Sequence, residues 1–146
     1  MKYMMVDVWS ENGNGLDQYS WPFIQELSKF NDILLVGHVN NTKNIAICRN
    51  IYFPISSRYK FSNGWKLLRG LEYALGMLQT FYLCLRYKPE VIHFQWLLLP
   101  KVDLFIIGLL RKFSKIYIVY TAHNIRPHNA ELNPLTDLIY ERVDLI

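Results

Sequence analysis

The chain has 146 residues and weighs 17.4 kDa, room for one domain with a real core and too little for two. Hydrophobic residues make up 51% and charged residues 19%, a balance that excludes a disordered or acidic tail protein. A net charge of +4 is too small to mark a nucleic-acid binder, although it suits contact with anionic surfaces or phosphorylated ligands. Cys48 and Cys84 lie in apolar surroundings without a thiol or His at ligand spacing, so neither a disulfide scaffold nor a zinc site is expected, and a reducing compartment is.

Apolar strands alternate with helical patterns along the whole length, which predicts a doubly wound parallel α/β sheet, Rossmann-like, with helices on both faces. Met1 to Val8 reads as a first strand rather than a secretory signal, because it is short and carries Lys2 and Asp7. Asp17 to Phe30 places Tyr19, Phe23, Ile24 and Leu27 at helical spacing. Ile33 to Val39 is a continuous apolar run, as a strand buried on both faces requires. Ile45 to Phe53 is a further strand, closed by Pro54.

A long helix from Trp65 to Tyr87 follows. Leu67, Leu71, Ala74, Leu75, Leu78, Tyr82 and Leu85 supply the apolar stripe expected to face its core. Val91 to Phe94 is a short strand after Pro89, Val102 to Phe113 an apolar helix, and Lys115 to Thr121 a fifth strand. Pro134 to Val143 reads as a helix with proline near its start. Asp144-Leu145-Ile146 resembles the opening of a sixth strand, so residues 1–146 read as a single, truncated domain. The longest nearly uncharged run, Tyr73 to Leu85, is too short to span a membrane.

In such a sheet, ligands bind beyond the carboxyl ends of the strands where the winding reverses. With strand order 3-2-1-4-5, the loops after strands one, four and five share one crevice. The first, Ser10 to Gln18, offers Gly13, Asn14 and Gly15 ahead of a helix start, which suits close approach of an anion and equally suits a turn capped by Asp17. Gln18 occupies the place of the third glycine in the dinucleotide fingerprint and disfavours that cofactor.

The second loop, Gln95 to Lys101, leaves the strand holding His93. Gln95 and Trp96 pair an amide with an aromatic face, as sugar-binding sites do; His93 and Trp96 also read as core residues. The third loop, His123 to Asn129, supplies His123, Asn124, Arg126 and His128, a set suited to sugar hydroxyls and a phosphate or to capping the next helix. His123 and His128 straddle Pro127 without a Cys or carboxylate nearby, so no metal is expected. Between Arg58 and Lys88, six cations, Lys60, Lys66 and Arg69 among them, face only Glu72. Interleaved with aromatics, they suit either an anionic membrane surface or a solvated basic face. No serine stands in a nucleophile-elbow context, and no Gly-Lys-Ser/Thr loop occurs.

Four segments together resemble the GT-B glycosyltransferases of the family 4 type. Pro89-Glu90-Val91-Ile92-His93-Phe94-Gln95-Trp96 is similar to that family's P-D-V-I-H-x-H-W strand, with Gln95 where the family often has His. Val119 to His128 is similar to its T-x-H-N-x-x-P-H loop. Ile139 to Ile146 is similar to its Y-x-x-A-D-x-I passage, and the Gly13–Gly15 loop followed by Tyr19 is similar to the family's opening helix.

The resemblance implies the N-terminal, acceptor-side half of a GT-B fold, with the donor-binding C-terminal domain absent. It implies a cytoplasmic glycosyltransferase, retaining as the family mostly is, that builds a polysaccharide or glycolipid and is inactive as this chain alone; the basic aromatic segment adds a peripheral place on the inner face of the cytoplasmic membrane. The nucleotide sugar is then a co-substrate, the acceptor a sugar or lipid-linked sugar, and no cofactor or metal is permanently bound. His123 matches the family's cleft-facing histidine and takes the catalytic place. Gly13, Asn14, Gly15, Gln18, Tyr19, His93, Gln95, Trp96, Asn124, Arg126 and His128 take substrate-binding places. The alternative is a non-catalytic subunit that anchors a separate donor-binding chain at the membrane.

Overall fold

A computed structural model describes residues 1–8, 17–37, 46–49, 65–121 and 134–145. Five parallel strands, β1 (Lys2–Asp7), β2 (Asp32–Gly37), β3 (Ala46–Arg49), β4 (Val91–Phe94) and β5 (Tyr117–Tyr120), lie side by side in the order β3-β2-β1-β4-β5. The helices are α1 (Asp17–Ser28), α2 (Trp65–Tyr87), α3 (Pro100–Phe113) and α4 (Pro134–Arg142).

Strand parity decides which helix covers which face. Tyr3 and Met5 of β1, with Ile33 and Leu35 of β2, point to one side and bury Trp21, Ile24 and Leu27 of α1. Met4 and Val6, Val36, Ile92 and Phe94, and Ile118 point to the other, where Tyr73 and Met77 of α2, Ile106, Ile107 and Leu110 of α3 and Ile139 of α4 close the larger core. The central strand is buried on both faces, which is why its apolar run is unbroken. Each of these aliphatic side chains stabilises by about 1.5–3 kcal/mol when fully withdrawn from water. The architecture is the Rossmann-like doubly wound sheet, with helices on both faces.

Three expectations change. The row of α2 that enters the core is Tyr73, Met77, Thr80 and Cys84, whereas Leu67, Leu71, Leu75, Leu78, Tyr82 and Leu85 are 41–71% exposed on the opposite side. Helix α3 starts two residues earlier than expected, with Pro100 in its first turn, where the absent N–H costs nothing. Strand β5 begins at Tyr117, since Ser114 to Ile116 form the link from α3.

Lys88 terminates α2 in the left-handed region (φ 51°), its N–H returning to Cys84 O at 2.9 Å, and Pro89 prevents continuation. After α4, Asp144 and Leu145 meet the outer edge of β5: Asp144 N–H donates to Ile118 O, Tyr120 N–H donates to Leu145 O, and Leu145 pairs in parallel with Val119. Asp144 Oδ2 also accepts from the Ile118 N–H (2.7 Å) and pairs with Arg111 (2.8 Å). Against the small upward push of burial, these partners hold its carboxyl below its ordinary value. Among the described residues, no helix is long and apolar enough to cross a membrane.

Candidate functional site

The strand order places the reversal of winding between β1 and β4, and the site is built on the C-terminal ends of β1, β4 and β5. The ladder continues one residue past each named strand: Gln95 N–H donates to Val6 O (2.9 Å) and Thr121 N–H donates to Phe94 O (3.0 Å). With Val6 opposite Phe94 and Phe94 opposite Tyr120, the next residues Asp7, Gln95 and Thr121 form a lateral polar row. By parity this row lies on the α1 side, directly above Met5, His93 and Val119.

His93 is the pin beneath the row. Its Nδ1 meets the Tyr3 hydroxyl at 2.6 Å and its Nε2 meets Thr121 Oγ1 at 2.7 Å, with the Gln95 amide nitrogen at 3.4 Å. Phe23 of α1 sets its ring edge-on to the imidazole at a centroid distance of 5.7 Å. Either neutral tautomer satisfies both short contacts, because each partner hydroxyl can donate or accept. Burial pushes the Tyr3 phenol up to about 12, so it keeps its proton throughout the neutral range. At 5% exposure the imidazole is a positioning group, fixing Thr121 and Gln95 at the mouth of the crevice from below.

Gln95 is equally buried, and Trp96 is half-buried against the α2–α3 core, so the amide and the indole leave the strand toward opposite faces. The loop that follows is held from underneath. Tyr73 Oη donates to Asp103 Oδ1 (2.5 Å) and accepts the Leu98 N–H (3.1 Å), joining α2, the loop and the first turns of α3. Burial pushes the Asp103 carboxyl up to about 7, against the pull of its bonds to Tyr73 and the Leu99 backbone. On the same side, Tyr120 stacks on Tyr140 of α4 at 6.0 Å.

His93, Gln95 and Trp96 thus come together at the exit of β4, and Gln18 and Tyr19 lie in the first turn of α1, their side chains outside the description. Gly13, Asn14, Gly15, His123, Asn124, Arg126, His128 and Lys60 fall outside the described residues, as does the side chain of Lys66. Sequence reading missed Asp7, Thr121 and Tyr3. The signal for the first two was positional: each is the polar residue that closes an apolar strand.

Among the described residues no three His, Cys, Asp or Glu side chains cluster as a metal site. The Cys84 thiol is pushed up to about 11 by burial, despite a hydrogen bond with Ser114, so it is no nucleophile at neutral pH. Comparison with family models, with curated proteins and with solved structures finds no match to this chain.

Proposed function

We propose that the chain is the acceptor-side half of a nucleotide-sugar-dependent glycosyltransferase of the GT-B type, building a polysaccharide or glycolipid. The observation that supports this most is the strand order. It sends the chain segments after β1, β4 and β5 out from neighbouring strand ends at the winding reversal, and those segments carry the residues similar to the family's motifs. In sugar transfer the bond from the anomeric carbon to the donor's phosphate oxygen breaks. A new bond to an acceptor hydroxyl oxygen forms, and the hydroxyl proton passes to an oxygen of the departing phosphate. On this reading, Thr121 lines the acceptor side of the crevice, with the buried Asp7 and Gln95 in the same row behind it and His93 holding it from below. By the resemblance, His123, Asn124, Arg126 and His128 belong beside the transferred sugar, and Gly13 to Gly15 near the donor phosphates or the acceptor. The nucleotide and most of the donor sugar require a second domain, and rate comes from both halves closing on the substrates.

The test is a backbone-amide NMR titration of the chain with glucose, galactose, N-acetylglucosamine and their disaccharides, and separately with uridine- and guanosine-diphosphate sugars. The reading expects saccharides to move the signals of Gln95, Trp96 and Thr121, and nucleotide sugars alone to bind weakly. Tight nucleotide-sugar binding by the chain alone would favour a self-sufficient site for a phosphorylated ligand and overturn it. No response to any saccharide would likewise overturn it.

A further inference from the structure

The outward side of α2 carries a second apolar row. Leu68, Leu71, Leu75, Leu78, Tyr82 and Leu85 recur at alternating spacings of three and four, a straight stripe on one helix side, and are 38–58% exposed. At 1.5 Å per residue the row runs about 25 Å. Helix α3 lies beside α2 on the same sheet face, and both bury their inner rows in one core, so their outer rows point the same way. There α3 adds Phe105 and Phe113, 60% and 57% exposed, together with Lys101 and Lys112. A contiguous exposed apolar surface of this kind marks an interaction site.

Charge decides what it meets. Across α2 and α3 the only acids are Glu72 and Asp103, and both are buried, at 4% and 0% exposure. The exposed charges of α2, α3 and the residues just after them are Arg86, Lys88, Lys101, Arg111, Lys112 and Lys115 against the single acid Glu90, whose carboxylate accepts the Lys2 backbone N–H. Leu85 and Phe113, the ends of the two rows, also wall a cleft of about 310 Å³ that Lys88 and Lys115 line. Two copies meeting through this face would oppose cation to cation, whereas hydrocarbon bordered by cations complements an anionic bilayer surface.

We propose that the outer face of α2 and α3 docks on an anionic lipid surface, its leucine row seated among the acyl chains and its lysines and arginines among the headgroups. The surface overlaps the Arg58–Lys88 segment singled out in the sequence through α2, Arg86 and Lys88, and extends it with Phe105, Phe113 and the lysines of α3. The sugar-transfer reading is not needed for it, and vesicle binding is measured without any transfer assay.

The chain is sedimented with vesicles of phosphatidylcholine alone and of phosphatidylcholine mixed equally with phosphatidylglycerol. Binding to the mixed vesicles only, released by salt, is expected. Each cation near such a surface contributes about fivefold in affinity, so Lys101→Glu with Lys112→Glu should weaken binding by at least about tenfold. Leu75→Glu with Leu78→Glu, on exposed positions that leave the circular dichroism spectrum unchanged, should abolish it. If the glutamate pair unfolds the chain, the lysine pair and the salt series decide. Absence of binding to anionic vesicles overturns the proposal. So does a stable dimer in light scattering that dissociates on Leu75→Glu, which would make this face an interface between copies.

Discussion

Alanine substitutions at Met77 and Leu75 test the rotation of α2 about its axis. The two positions are separated by about 200° around the helix. Met77 is 1% exposed among Tyr73, Ile106 and Ile107, so truncation opens a cavity and should cost about 2–5 kcal/mol. Leu75 is 53% exposed, so half its side chain is already in water. The higher helix propensity of alanine offsets part of the remaining loss, leaving a cost below about 1 kcal/mol. For a domain of this size 1 kcal/mol moves the melting temperature by roughly 2–4 °C, so Met77→Ala should lower it by about 4–20 °C and Leu75→Ala by no more than about 4 °C. Thermal unfolding followed by circular dichroism reads both. If Leu75→Ala proves the more damaging, α2 is turned half a revolution, and the exposed leucine row does not exist.

Two further outcomes follow from buried polar groups. Asp103 has an ordinary value of 3.8 and is pushed up to about 7 by burial, so the folded chain holds this proton where the unfolded chain has lost it. Its contribution to stability is therefore complete below the lower value and declines as pH rises toward about 7, by an amount on the order of 4 kcal/mol. Denaturant unfolding across that window should show the decline, and Asp103→Asn should remove it; an unchanged slope would contradict the burial of this carboxyl. Tyr3→Phe strips His93 Nδ1 of its 2.6 Å partner inside the fold and should cost about 1–3 kcal/mol in denaturant unfolding. A loss within experimental error would mean that the Tyr3 bond does not hold the imidazole.

The sheet was legible because its strands are apolar on both faces. Met4, Met5 and Val6 in succession, or Leu34, Leu35 and Val36, suit a central strand of a parallel sheet better than an amphipathic element. Helix α2 was legible as a helix but not in its orientation. It carries two apolar rows on opposite sides, and the outer one holds five leucines and a tyrosine, while the inner one includes Thr80 and Cys84. Period alone cannot choose between two rows with the same period, and hydrophobicity favours the wrong one. Thr80 is compatible with the interior because its hydroxyl donates to Gly76 O within the helix (3.0 Å), so it brings no unmet polar group. At the site, Gln95 and Trp96 stood out by their position after β4. The Asp7–Gln95–Thr121 row is a product of register between strands distant in sequence, and no local pattern encodes it. The role of His93 likewise rests on Tyr3, 90 residues away.

The central strand also constrains how the molecule comes into being. Strand β1 is the first to be synthesised, yet its two hydrogen-bonding edges are filled by β2 and β4, and 88 residues separate Lys2 from its partner Glu90. At ribosomal rates of about 5–20 residues per second, the β4 edge stays open for about 4–18 s after β1 has emerged. During that interval a run of Met4, Met5 and Val6 is exposed with one unpaired edge, the form of strand most prone to pairing with another chain. A fold ordered β3-β2-β1-β4-β5 thus delays the completion of its sheet until β4 has followed β1 out of the ribosome, and its yield in a cell depends on what occupies that edge meanwhile.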